Sequence, residues 1–110
     1  FALYGPTETT VFATYAHKST LNKEIVELDP VNIGFPTGCR VWVVHPRNHD
    51  KLMPVGSVGE LVIEGHSAAR GYLNNPEKTR SVFIKNPQWV ETLPVPNGFY
   101  TTDMYKTGDL

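Results

Sequence analysis

The chain has 110 residues, 40% hydrophobic and 19% charged, the composition of a folded globular chain rather than a disordered one. A net charge of −1 gives no electrostatic footprint for nucleic acid or anionic lipid, no apolar run reaches the length of a membrane span, and no signal-peptide pattern opens the sequence. The lone cysteine, Cys39, cannot close an intrachain disulfide, which is compatible with a reducing compartment, and the expected location is cytoplasmic.

The elements follow in chain order. Residues 1–4 (FALY) read as the end of a buried strand, and residues 9–15 (TTVFATY) continue extended, being β-branched and aromatic. Residues 16–32 are polar and expected as loop with a short turn. Residues 40–45 (RVWVVH) are apolar on both faces and suit a strand buried on two sides. Residues 46–57, with their Pro, Asn, Asp and Gly, read as a long hairpin connection. Residues 60–64 (ELVIE) alternate, Leu61 and Ile63 on one face and Glu60, Val62 and Glu64 on the other. Asn75-Pro76-Glu77 is a helix start: a capping side chain, a proline at the first helical position and an acid at the positive end. That helix is expected to end near Lys85, ahead of Pro87, with loop over 86–99 and an extended stretch over 100–106 running into Thr107-Gly108-Asp109. The expected class is α+β, mostly β, with one short helix. The chain opens on Phe rather than Met, and it is expected to be a piece of something larger.

Several stretches imitate chemistry. Gly65-His66-Ser67 after a strand resembles a nucleophile elbow, but Ala69 stands where the motif wants glycine, and no histidine follows Ser67; a strand ending in a turn explains it more simply. His45 and His49 have the spacing of two zinc ligands on a helix, yet Pro46 between them forbids that helix. Cys39 reads as a small buried apolar residue.

Two stretches remain, Tyr4 to Glu8 and Tyr105 to Leu110. Gly5 allows close backbone approach and Pro6 stiffens the turn. Thr7 offers a hydroxyl to a phosphate oxygen, Glu8 a hard oxygen ligand suited to Mg²⁺, and Tyr4 a flat face for a base. Asp109 after Gly108 can accept hydrogen bonds from ribose hydroxyls. Each motif taken singly is also what an ordinary turn looks like.

Taken together and in order, the motifs are far more specific. Tyr4-Gly5-Pro6-Thr7-Glu8, then Gly59-Glu60-Leu61 with Gly65, Ala69-Arg70-Gly71-Tyr72, Asn75-Pro76 and Thr79, then Tyr105-Lys106-Thr107-Gly108-Asp109-Leu110 follow the fifth, sixth and seventh core motifs of adenylation domains. Over its whole length the sequence resembles the adenylation domain of nonribosomal peptide synthetases, in the adenylate-forming, AMP-binding superfamily, and the wording of residues 46–65 looks like the fungal type.

The resemblance implies ATP as substrate, Mg²⁺ as cofactor and an amino acid as the activated acid. It implies Tyr4 stacked on adenine with Gly5 beside it, Thr7 at the α-phosphate, Glu8 on the metal and Asp109 on the ribose, with Thr7 and Glu8 as the catalytic pair. Leu3, Val11 and Phe12 would line the amino-acid pocket and, being apolar, favour an uncharged substrate. Ala2 stands where the family usually has an adenine-contacting Asn. Gly65 and Gly71 would permit turns, while Arg70 and Tyr72 would hold a distorted β-barrel against its neighbour. The chain would be a fragment of the large N-terminal lobe, incomplete at both ends and inactive alone, because the family's phosphate loop and its lysine-bearing lobe lie outside it. Partners implied are a carrier (thiolation) domain bearing phosphopantetheine and a condensation domain. Alternatives are an acyl-CoA synthetase-type or luciferase-like relative, a non-catalytic β interaction module, and a hydrolase built on Ser67.

Overall fold

A computed structural model describes residues 2–16, 20–21, 24–25, 31–94 and 103–110. Phe1, most of the expected loop 16–32, and the start of the last extended stretch at 100–102 lie outside the described residues. Two sheets dominate. The smaller has three antiparallel strands, β1 (Ala2–Tyr4), β2 (Thr14–Ala16) and β5 (Phe35–Pro36), in the order β1-β2-β5. A two-residue ladder of β3 (Thr20–Leu21) with β4 (Glu24–Ile25) interrupts the polar stretch. The larger sheet has five antiparallel strands: β6 (Arg40–His45), β7 (Asn48–Leu52), β8 (Glu60–Glu64), β9 (Phe83–Lys85) and β10 (Asp103–Lys106), ordered β7-β6-β8-β10-β9. One helix, α1 (Pro76–Val82), leads into β9. Among the described residues the fold is mostly β with one α-helix, as expected.

The core lies on one face of the larger sheet, where Val44, Val62, Ile84, Trp89 and Met104 pack together with Trp42 and Leu52 against them. The Trp42 and Trp89 rings sit 4.9 Å apart, and the Trp89 indole N–H donates to the His49 carbonyl at 2.8 Å. Each fully buried Val is worth about 1.5–3 kcal/mol of transfer free energy.

Strands β6 and β8 and the Asn75 cap fall where the residues place them; the Asn75 side chain accepts from the Lys78 amide at 3.1 Å. Elsewhere local reading is overruled. Residues 46–57 are not one long connection, since 48–52 (NHDKL) form β7 against β6 across a tight turn at Pro46-Arg47. The sequence lacks β-formers there, but pairing with an already buried neighbour supplies what propensity does not. The helix stops at Val82 rather than near Lys85, because residues 83–85 gain a ladder with β10. A 3₁₀ turn, Gln88–Thr92, occupies part of the expected loop and seats Trp89 in the core. Strand β6 is half-exposed apart from buried Val44, so it is not covered on two sides within this chain; Leu3 of β1 is likewise exposed rather than buried. Cys39 is half-buried and polar in its contact, its S–H donating to the Ala13 carbonyl at 3.0 Å, and burial pushes its thiol up.

The polar face of β8 is also not a solvent face. Glu64 is 1% exposed, and it accepts from Arg40 at 2.9 Å and from the Trp42 indole N–H at 2.8 Å. Glu60 accepts from the Gly108 amide at 3.2 Å and lies 3.6 Å from the Lys106 ammonium. Buried carboxylates survive only when paired in this way.

Candidate functional site

The expected extended run over residues 9–15 is a strand only from Thr14, where β2 begins, and residues 9–13 form a folded loop instead. Pro6 stands in extended geometry ahead of a 3₁₀ turn at Thr7–Thr9, where the Thr9 amide and hydroxyl both donate to the Pro6 carbonyl, and Thr10 and Val11 both take positive φ, 57° and 74°. Left-handed backbone at a β-branched residue costs on the order of 1–3 kcal/mol and collects at functional loops. Gly5 is needed because any Cβ there would run into the Val11 carbonyl. The close approach that Gly5 permits is thus to the loop's own backbone. Thr7 presents an exposed hydroxyl and Glu8 a half-exposed carboxylate on this loop.

Residues 65–72, which follow β8, clamp that loop at three points. The Ala69 amide donates to the Glu8 carbonyl at 2.7 Å, the Thr10 hydroxyl donates to the Ser67 carbonyl at 2.8 Å, and the Tyr72 hydroxyl donates to Glu8 Oε1 at 2.7 Å. Gly71 takes φ +145°, and a Cβ on it would strike the Thr79 side chain, so the approach to Tyr72 requires glycine. Arg70 is exposed and Tyr72 does the holding.

The third stretch closes the group. Beyond β10 the ladder with β8 continues irregularly: the Thr107 amide donates to the Leu61 carbonyl at 3.0 Å and the Leu61 amide to the Asp109 carbonyl at 2.9 Å. Gly108 supplies φ +78° for the turn. Asp109 is thereby presented beside β1, where the Tyr4 hydroxyl donates to its Oδ2 at 2.5 Å.

The electrostatics follow from these contacts. The Tyr72 hydroxyl, with help from the Glu8 backbone amide, holds the Glu8 carboxyl below its ordinary value, so it stays ionised. Tyr72 itself is pushed up by that carboxylate, and Tyr105 by burial. Tyr4 rises from 10.0 to about 12, first through burial and then through its bond to Asp109. Among the described residues no group of three or more His, Cys, Asp or Glu could cage a metal. One ionised carboxylate beside an exposed hydroxyl fits a Mg²⁺ shared with phosphate oxygens and water.

The structure therefore brings Tyr4 together with Asp109, and joins Glu8 to the 65–72 loop. Leu3, Val11 and Phe12 lie on the same hairpin but are 57%, 58% and 54% exposed, so within this chain they form an open apolar wall. The Ser67 hydroxyl is buried without a hydrogen-bond partner among the described residues, so no base activates it and the hydrolase reading fails. Sequence reasoning assigned no role at the site to Tyr105 and treated Tyr72 as structural, although both stand inside the recognised motifs. No helix among the described residues is long and apolar enough to cross a membrane.

The chain is similar to known proteins. The chain is 49% identical over 107 residues to nonribosomal peptide synthetase 4 of Gibberella zeae and 50% identical over 107 residues to nonribosomal peptide synthetase 1 of Aspergillus fumigatus. Each match covers 97% of this chain, which spans only 1% and 2% of those relatives. The crystal structure of CmiS6 superimposes with a TM-score of 0.64 at 23% identity, over 96% of this chain and 22% of that one, a likeness of fold. The family described as AMP-binding enzyme matches residues 1–73, the first motif stretch and most of the second, and the chain belongs to that family.

Proposed function

We propose that this chain is part of an adenylation domain, incomplete at both ends, that activates an amino acid with ATP for transfer to a carrier-protein thiol in nonribosomal peptide synthesis. The observation that carries the reading is the union of the three motif stretches: Tyr4 bonded to Asp109, and Glu8 held by Tyr72 and Ala69. The identity to fungal synthetases along nearly the whole chain supports it.

In this reading the Tyr4 ring lies on adenine and Asp109 accepts from the ribose hydroxyls. The exposed Thr7 hydroxyl donates to an α-phosphate oxygen. Glu8 would hold Mg²⁺, which when bound neutralises phosphate charge. The substrate carboxylate attacks the α-phosphorus, a new O–P bond forms, the bond to the bridging oxygen breaks, and pyrophosphate leaves with that electron pair. The chain's own contribution is positioning and charge stabilisation. With Ala2 in place of the usual Asn, recognition of the base falls to the Tyr4 ring and backbone groups. A phosphopantetheine-bearing carrier domain and a condensation domain would adjoin it in a cytoplasmic parent chain.

The test is pyrophosphate exchange by the complete adenylation domain containing this segment, offered amino acids, fatty acids and aryl acids. Exchange with amino acids alone is the expected result. Exchange only with fatty or aryl acids would move the chain to the acyl-CoA synthetase type, and absence of ATP binding would leave a non-catalytic β module.

A further inference from the structure

Tyr72 sits 64 residues from Glu8 in sequence, yet its hydroxyl reaches Glu8 Oε1 at 2.7 Å. That hydroxyl is itself held in place from three sides. The Tyr72 amide donates to Thr79 Oγ1 on α1 at 2.9 Å. The Tyr72 ring meets Phe83 of β9 edge-on at 5.6 Å, and Phe83 in turn lies 5.2 Å from the Tyr105 ring of β10. The Lys78 ammonium lies 4.6 Å over the Tyr72 ring. Gly71, which has no room for a Cβ against Thr79, lets the chain come this close. One helix and two strands thus converge on a single phenol, which donates to the Glu8 carboxylate and lies beside the Tyr105 hydroxyl.

We propose that Tyr72 is a positioning residue for the Mg²⁺ ligand Glu8, with α1 and β9 as the rigid support that aims it; this rests on the adenylation reading above. A flexible glutamate on a loop loses rotamer freedom when it binds a cation. Tyr72 removes that freedom beforehand. A carboxylate has two oxygens and about four lone-pair positions, so a donor at Oε1 leaves capacity for a hard cation. Outer partners that orient a ligand in this way are commonly worth about 10–100-fold in metal affinity. The sixth motif would then serve the metal-phosphate site directly, although none of its residues touches substrate.

The experiment uses the complete adenylation domain with ATP present. Mn²⁺ binding is read by electron paramagnetic resonance, and the Mg²⁺ concentration for half-maximal pyrophosphate exchange is measured in parallel. Tyr72→Phe keeps the ring and its packing and deletes only the hydroxyl. It should weaken Mn²⁺ binding and raise the half-maximal Mg²⁺ by about 10-fold or more, on the scale of an orienting partner, with the amino-acid KM at saturating Mg²⁺ within about twofold. Thr79→Val, outside the site, should shift both in the same direction by less, and it serves if Tyr72→Phe does not fold. In a Glu8→Gln background the Tyr72→Phe effect should vanish, as required of a residue acting through Glu8. Unchanged Mn²⁺ affinity in Tyr72→Phe, or the same loss with and without Glu8, overturns the proposal while leaving adenylation intact. Wild-type Mn²⁺ affinity in Glu8→Gln alone would instead refute the metal assignment beneath it.

Discussion

Tyr4→Phe isolates the contact between the first and third motif stretches. It keeps the ring proposed to lie on adenine and removes only the hydroxyl that donates to Asp109 at 2.5 Å. A hydrogen bond to a charged group is worth about 1.5–3 kcal/mol net. Asp109 is exposed and Tyr4 half-buried, so water replaces part of what is lost and the expected cost falls to about 1–1.4 kcal/mol. At 1.4 kcal/mol per factor of ten, that is a roughly 5- to 10-fold rise in KM for ATP. The assay is pyrophosphate exchange by the complete domain at saturating amino acid and varied ATP, with kcat expected to stay within about twofold, since the hydroxyl aims a binding group and takes no part in bond making. Asp109→Asn should raise the same KM, and the double variant should show much less than the product of the two effects, because both break one contact. An unchanged KM in Tyr4→Phe, or full additivity in the double variant, would refute the view that Tyr4 positions Asp109.

Glu64→Gln should destabilise the domain by about 2–4 kcal/mol, since Arg40 and the Trp42 indole donate to different carboxylate oxygens and an amide turns one of those into an NH₂ donor; Arg40, 34% exposed, rehydrates in part and keeps the cost from rising further. Urea midpoints measure it, and a change under about 0.5 kcal/mol would speak against a buried pair that matters. Tyr4, raised from 10.0 to about 12 in the fold, contributes stability that is complete below pH 10 and lost as pH climbs through about 12. Ultraviolet tyrosinate titration should therefore show late-ionising phenols, Tyr72 and Tyr105 among them, with one fewer in Tyr4→Phe. Leu3, Val11 and Phe12 provide no partner for a charge, so exchange across the common amino acids should favour an uncharged side chain, and Phe12→Ala should shift preference toward larger ones; a clear preference for Asp, Glu, Lys or Arg would show that these three positions do not decide selectivity.

What the sequence determined by itself was what depends on near neighbours along the chain. Strands β6 and β8 were legible as β-branched runs, and the start of α1 as an Asn-Pro-Glu cap, because those preferences act within a few residues. Tyr4, Thr7, Glu8 and Asp109, the groups proposed to hold the ligand, were nominated from the order of short motifs, since each offers one chemical function at one position. Tertiary structure decided everything that needed a partner from elsewhere. Residues 48–52 and 83–85 became strands only because β6 and β10 offered edges that local preference could not foresee. Glu60 and Glu64 could be buried only because Lys106, Arg40 and Trp42 arrive from β10 and β6. The bond from Tyr72 to Glu8 spans 64 residues, and no local pattern encodes it. It exists because α1 and β9 hold Tyr72 through Thr79, Lys78 and Phe83, and the cost of bringing such distant groups together is met by the packing of the whole sheet rather than by the contact itself.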